Sequence, residues 1–285
     1  MPIVTEHGRI MSQISIEFFP PNTPVGEEKL NTTTDKLLPL KPEFFSVTYG
    51  AGGVTQEKTA AIVHHIAGLG HEAAPHISCI GSKAEVLRAL LDGYVERGVK
   101  RLVCLRGDLP SGMVDPGVFR YASDLVAYIK KHYGAQFHIE VAAYPEYHPQ
   151  SKSPQADLDN FVHKVDAGAD GAITQFFYNP EAYFHFVSQV RAHGVRIPIV
   201  PGIMPIGSFS GVLRFAERDG IDIPRWVRLK MEKYHDDAAS IRAFGLEVVT
   251  GLCERLLAGG APSLHFYTLN QSALTVEICQ RLRLI

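Results

Sequence analysis

His138-Ile139-Glu140-Val141-Ala142-Ala143-Tyr144-Pro145-Glu146-Tyr147-His148 reads as a strand of six residues halted by a proline. An amphipathic segment at 155–167 follows with helical spacing, and 171–175 is a second apolar run of strand length. Strand, helix and strand in succession make a βαβ unit, whose strands are parallel and whose crossover is right-handed. The same alternation extends in both directions. Strands are expected at 14–18, 44–48, 72–77, 101–105, 138–143, 171–175, 199–201 and 263–268. Helices are expected near 26–38, 55–68, 83–97, 121–133, 155–167, 180–193, 208–219, 236–258 and 272–282. Gly68-Leu69-Gly70 and Gly98 read as helix stops before short connections to the next strand. Eight such units fit an α/β (β/α)8 barrel of TIM type, one domain over residues 1–285. An open doubly wound sheet is the rival. It would carry G-x-G-x-x-G after its first strand, and Gly50-Ala51-Gly52-Gly53 lacks the third glycine at the required offset.

The bulk composition narrows the function classes. The chain has 285 residues, 46% hydrophobic and 20% charged, with 28 − 30 = −2 formal charges. A near-neutral surface argues against nucleic acid or membrane as the main partner. No apolar run approaches the length of a membrane span, and the N-terminus lacks a basic-then-apolar leader, so a cytoplasmic protein is expected. Cys79, Cys104, Cys253 and Cys279 form no C-x-x-C pair and read as reduced core thiols. The 13 histidines show no ligand spacing such as H-E-x-x-H, so no protein-bound metal is expected.

Ile14-Ser15-Ile16-Glu17-Phe18-Phe19-Pro20-Pro21 places one carboxylate inside an otherwise apolar strand. An ionised carboxylate there costs several kcal/mol unless it is paired or faces a wet cavity, about 2–7 kcal/mol even for a neutral polar group. A carboxyl in such a setting tends to hold its proton, which suits a general acid. The plain alternative is a glutamate that points outward at the strand end. Polar groups also gather just after the other strands: Thr48-Tyr49, His76, Arg106-Gly107-Asp108, Tyr144 to His148, Gln175 and Tyr267 to Asn270. Each alone has a structural reading, as a satisfied core histidine, a rim aromatic or a surface ion pair. Their convergence on the carboxyl ends of six strands is what packing does not explain, because that rim of a parallel barrel is where active sites form.

These residues resemble the methylenetetrahydrofolate reductase family. The likeness is carried by Ile16-Glu17-Phe18-Phe19-Pro20-Pro21, Ser46-Val47-Thr48-Tyr49-Gly50-Ala51, Ala74-Pro75-His76 and Leu105-Arg106-Gly107-Asp108-Leu109-Pro110. Tyr121 to Leu125, Ala143-Tyr144-Pro145-Glu146, Ile173 to Phe177 and His265-Phe266-Tyr267-Thr268-Leu269-Asn270 continue it in order over nearly the whole chain. The resemblance implies a bacterial-type catalytic barrel with bound FAD and no regulatory extension. It implies reduction of 5,10-methylenetetrahydrofolate to 5-methyltetrahydrofolate, with NADH or NADPH reloading the flavin in a ping-pong cycle. Glu17 is then the general acid that opens the folate's five-membered ring to the iminium cation. Asp108 is the carboxylate beside flavin and folate, Gln175 holds the pterin, and Phe215 is an aromatic that stacks on substrate. The implied FAD positions are Tyr49, Ala51, His76, Arg106, Gly107, Asp108, Ala122, Tyr144, His148, Asp157, Asn160 and Lys164, with Thr48 near the nicotinamide. Helical offsets of three and four put Asp157, Asn160 and Lys164 on one face. A homo-oligomer is the expected assembly.

Three positions depart from the family's pattern. Gln271 stands where an arginine associated with the folate's glutamate tail is usual, His163 where a second basic residue lies near FAD, and Gly211 where a helix facing substrate carries a polar side chain. Two other readings stay open at this stage. One is the same flavin barrel served by a protein electron carrier, or running oxidatively in folate-linked demethylation. The other is a barrel that binds folate or flavin without turnover, against which the retention of Glu17 and Asp108 speaks.

Overall fold

The computed structural model of the chain describes residues 3–4, 10–11, 13–49, 53–107 and 117–284. A short antiparallel pair, β1 (Ile3–Val4) and β2 (Ile10–Met11), precedes the main body. The barrel strands are β3 (Gln13–Phe18), β4 (Phe45–Val47), β5 (Ala73–Ser78), β6 (Arg101–Leu105), β7 (His138–Ala143), β8 (Gly171–Phe176), β9 (Ile199–Ile203) and β10 (Ser263–Tyr267). They pair in parallel in that order, and β10 returns to β3 to close the cylinder. All eight expected strands are present, and so is the eightfold alternation with helices.

The helices between strands are α1 (Pro24–Leu37), α2 (Gly53–Gly68), α3 (Ala84–Glu96), α4 (Ala122–Tyr133), α5 (Pro154–Asp166) and α6 (Pro180–Ala192). After β9 come α7 (Phe209–Asp219), α8 (Arg225–Tyr234) and α9 (Ala238–Ala258), and α10 (Ala273–Arg281) closes the chain. Their starts follow local chemistry. Thr23, Ser153 and Asn179 each accept a backbone N–H with a side-chain oxygen, and a proline occupies the first turn of the helix that follows. Helix α8 was not anticipated. Its only buried side chains are Val227 and Met231, too sparse an apolar stripe to stand out from a connection.

Strand alternation divides the side chains into two populations. On β3, Ile14, Ile16 and Phe18 point outward and are buried in the large core shared with the helices. A separate cluster of Phe44, Ala74, Val103 and Ile173 fills the middle of the barrel. Below it, at the amino ends of the strands, Arg101 reaches Glu43 and Glu140 at 2.7 Å and Glu72 at 2.9 Å. Its guanidinium also lies 4.4 Å from the centroid of the Phe44 ring. Burial alone would disfavour that cation, but the three carboxylates outweigh it and raise its pKa. The bottom of the cylinder is thus closed by an ionic plug and its waist by apolar packing. Among the described residues, the inside of the cylinder opens at its carboxyl-end mouth.

Candidate active site

At that mouth lies a cavity of about 390 Å³ to which every barrel strand, or the residue just after it, contributes. Glu17 comes from β3, Thr48 and Tyr49 from the end of β4, His76 from β5, and Val103 and Leu105 from β6. Ala142 and Tyr144 continue from β7, Ile173 and Gln175 from β8, Met204 from the end of β9 and Tyr267 from β10. Phe215, Arg218 and Asp219 on α7 form one wall, and Phe19 and Leu269 another. The volume is within the range of cavities that hold a small organic ligand, about 300–1,000 Å³.

Glu17 lies at the centre of this arrangement. Its inward neighbours differ from what an apolar strand suggested, because the apolar residues of β3 face the helices. Oε2 of Glu17 lies 3.4 Å from His76 Nε2 and 3.7 Å from His265 Nε2. Both of those nitrogens are buried, and neither has a hydrogen-bond partner among the described residues. Burial lowers the pKa of His76, which Glu17 partly opposes and His265 reinforces, so this imidazole is held neutral. The Glu17 side chain keeps 19% of its surface exposed, toward the cavity. It is therefore reachable by a ligand while screened from bulk solvent.

The walls are held by specific contacts. Tyr267 donates to the carbonyl oxygen of Thr174 across the mouth, 2.7 Å away. That crossing requires Gly202, where a Cβ would meet Thr174 O at 2.2 Å and the Tyr267 ring at 2.5 Å. A register shift between Ile173 and Phe176 adds one residue to β8 relative to β9, in the stretch that includes Gln175. Gln175 Oε1 accepts the N–H of Phe176, leaving its NH2 as the free edge of the amide. Asn270 clamps the end of β3 by donating to Phe19 O at 2.8 Å and accepting from Phe19 N at 3.1 Å. On α7 two guanidiniums lie near the Phe215 ring, Arg214 at 5.5 Å and Arg218 at 5.1 Å from its centroid.

The remaining expected positions extend away from the cavity, over β6 and β7 into α5. Arg106 donates to Gln150 at 3.0 Å. Gly107 has φ +80°, and a Cβ there would meet Ser78 Oγ at 1.8 Å, so only glycine lets this backbone pass. Ala122 opens α4. The rings of Tyr144 and His148 meet edge to face at 4.6 Å, and the His148 N–H donates to Asp157 Oδ2 at 3.1 Å. Burial raises the pKa of Asp157. Burial lowers Lys164 to about 8, Asp157 opposing it, and the ammonium donates to Ala142 O. Asn160 is exposed on the same helix, His163 is exposed, and Gln271 is exposed outside the cavity lining. Ala51 and Asp108 lie outside the described residues.

The residue that sequence reasoning left out of the site is His265. Its signal was present: Ser263, His265 and Tyr267 share one face of β10, and parallel pairing sets His265 opposite Ser15 and Tyr267 opposite Glu17. Arg218 and Asp219, joined by a bidentate pair at 2.6 and 2.7 Å, were also missed, because an adjacent Arg-Asp looks like an ordinary solvated helix end.

The sequence profile of the methylenetetrahydrofolate reductase family matches residues 5–283. The 5,10-methylenetetrahydrofolate reductase of Escherichia coli K12 is 42% identical over 270 residues, which is 94% of this chain and 90% of that protein. The enzyme of the same name from Pectobacterium carotovorum is 42% identical over 276 residues, 96% of this chain and 91% of its own length. Methylenetetrahydrofolate reductase (NADH) 1 of Arabidopsis thaliana is 37% identical and is matched over 50% of its length. Among solved structures, a Clostridium thermocellum protein that binds two copies of 5-methyl-5,6,7,8-tetrahydrofolic acid superimposes with a TM-score of 0.66 at 17% identity, covering 95% of this chain and 96% of that one. That last likeness is one of fold.

Proposed function

The chain belongs to the methylenetetrahydrofolate reductase family, and from that premise we propose that FAD, a nicotinamide nucleotide and Glu17 carry its reaction at the barrel mouth. The reaction class, reduction of 5,10-methylenetetrahydrofolate by an oxidoreductase, goes with the family. The residues present suit a flavin. Tyr49 and Tyr144 offer aromatic surfaces, and Leu105 an apolar one, to the cavity. The backbone passage at Gly107, the Arg106 guanidinium and the Lys164 ammonium supply approach and charge for a pyrophosphate. When bound, the flavin supplies the hydride that it has taken from the nicotinamide nucleotide.

The protein's own part is binding and proton transfer. Gln175 presents an NH2 edge that suits the acceptor atoms of a pterin. Phe215, polarised by two guanidiniums, supplies a ring face for the aromatic portion of the substrate. Glu17 delivers a proton to the nitrogen that departs when the five-membered ring opens. The carboxylate left behind faces two imidazole nitrogens at 3.4 and 3.7 Å, which stabilise it if they carry hydrogen. The observation that carries this reading is that carboxyl, largely buried yet open to the cavity and flanked by unpartnered nitrogens.

Separate anaerobic half-reactions test it. In Glu17→Gln, bleaching of the flavin by NADH or NADPH is expected within a few-fold of wild type. Reoxidation by methylenetetrahydrofolate is expected to fall by about 10²–10⁴, the usual share of a general acid. Equal loss in both halves overturns the role of Glu17. Colourless protein that takes up no FAD overturns the cofactor. A yellow protein that neither nucleotide bleaches points to a protein electron donor.

A further inference from the structure

The proposal concerns His265 and rests on Glu17 being the proton donor. Closure of the barrel brings β10 against β3 and sets His265 beside Ser15, one pleat below Tyr267 and Glu17. The imidazole is fully buried. Its plane is fixed by Phe44, stacked at 6.0 Å, and by Tyr267, edge-on at 5.2 Å. Nδ1 lies 2.7 Å from Ser15 Oγ. Nε2 has no hydrogen-bond partner among the described residues and lies 3.7 Å from Glu17 Oε2.

A buried hydroxyl has one hydrogen to place, and the Ser15 side chain makes one hydrogen bond among the described residues, to that Nδ1. If Ser15 accepted from Nδ1–H, its own hydrogen would be stranded at a desolvation cost of about 1–3 kcal/mol. With Ser15 donating, Nδ1 accepts and the ring's hydrogen resides on Nε2, which faces Glu17 Oε2 at 3.7 Å, beyond hydrogen-bond distance. We propose that His265, locked by Ser15 in the Nε2–H form, is a positioning residue that holds Glu17 and stabilises the carboxylate left when its proton has gone to the substrate. The O–H bond of Glu17 breaks and an N–H bond forms on the departing nitrogen. No proton leaves His265, whose contact with Oε2 shortens as charge develops there.

The titratable groups facing this carboxyl are His76 from β5 and His265 and Tyr267 from β10. Tyr49, Tyr144 and the Arg218–Asp219 pair stand further out on the cavity wall. His76 offers the nearer nitrogen, but its ring lines the cavity. His265 does not line the cavity, and Phe44, Tyr267 and Ser15 hold its ring.

Two measurements test the proposal. Nitrogen-15 histidine spectra of the full-length protein, with the resonance assigned by its loss in His265→Phe, are expected to show the neutral Nε2–H tautomer. In Ser15→Ala they are expected to show a tautomer mixture. Any other form in wild type overturns the proposal, and this reading needs no turnover. In the folate half-reaction, His265→Phe keeps the ring shape and removes the N–H. Without that donor the carboxylate left by proton transfer is less favoured. The maximum rate is expected to fall about tenfold, and less far in Ser15→Ala. Bleaching of the flavin by NADH is expected to stay within twofold. An unchanged folate rate overturns the proposal, and so does equal loss in both half-reactions, which would mark a merely structural role. A wild-type protein that turns over no folate would instead overturn the function proposed above, while the spectra still decide the state of His265.

Discussion

Replacing Arg101 by methionine removes the only cation that meets three carboxylates at the foot of the barrel, among the described residues. The partners do not count equally. Glu72 and Glu43 are 38% and 32% exposed, so water screens them and their pairs contribute little. Glu140 is 5% exposed and cannot rehydrate, and its Oε2 already lacks a hydrogen-bond partner. Breaking a buried pair by removing one partner costs about 3–5 kcal/mol, and here most of it falls on Glu140, which keeps only His138 Nε2 at 3.0 Å from its Oε1. With about 2.1 cal/mol/K of unfolding entropy per residue, the 285-residue chain has about 0.6 kcal/mol/K in all. The expected fall in Tm is therefore about 5–8 °C, read by circular dichroism at neutral pH. Adding Glu140→Gln to Arg101→Met should recover at least half of it, because the penalty comes from an uncompensated charge and not from lost packing. A single variant within about 1 °C of wild type, or a double variant no better than the single, would refute this account of the plug.

Three further outcomes are expected. Lys164 carries its charge only below about pH 8, so FAD should bind more weakly as pH rises through that value; Lys164→Gln should weaken binding by about tenfold or more and abolish the dependence, measured by flavin fluorescence. Burial raises Glu146 to about 7, above its value in the unfolded chain, so the folded state holds the proton longer and stability falls as pH rises from about 4.5 to 7. Glu146→Gln keeps an acceptor for the Asp222 N–H, and its melting curve should lie above wild type at pH 8 and converge with it near pH 4. Gly107→Ala combines a positive φ with a Cβ 1.8 Å from Ser78 Oγ; it should weaken FAD binding and lower Tm, and Ser78→Gly should relieve only the steric part.

Much of the architecture was legible because its causes are local. Strand and helix periodicity, proline-led helix starts and glycine stops each act over a few residues, and these recovered the eight strands and the barrel. The cavity was foreshadowed where a residue type is costly on its own strand, as with Glu17, which lines it. Other features escaped for a physical reason. The inward face of β3 is polar, not apolar, because Ser15 and Glu17 alternate with Ile14, Ile16 and Phe18, and only closure decides which set meets the helices. Helix α8 buries too few side chains to announce itself.

The order of elements, their parallel pairing and the placing of one glutamic acid on β3 were determined by the chain alone, since each follows from propensity or from the residue sequence itself. What surrounds that acid was decided only in three dimensions. His265 and Ser15 are separated by 250 positions, as are Arg101 and Glu43 by 58, and no local preference links them. Such partners meet because a cylinder of eight strands has one register that closes, and that register fixes which side chains share a layer.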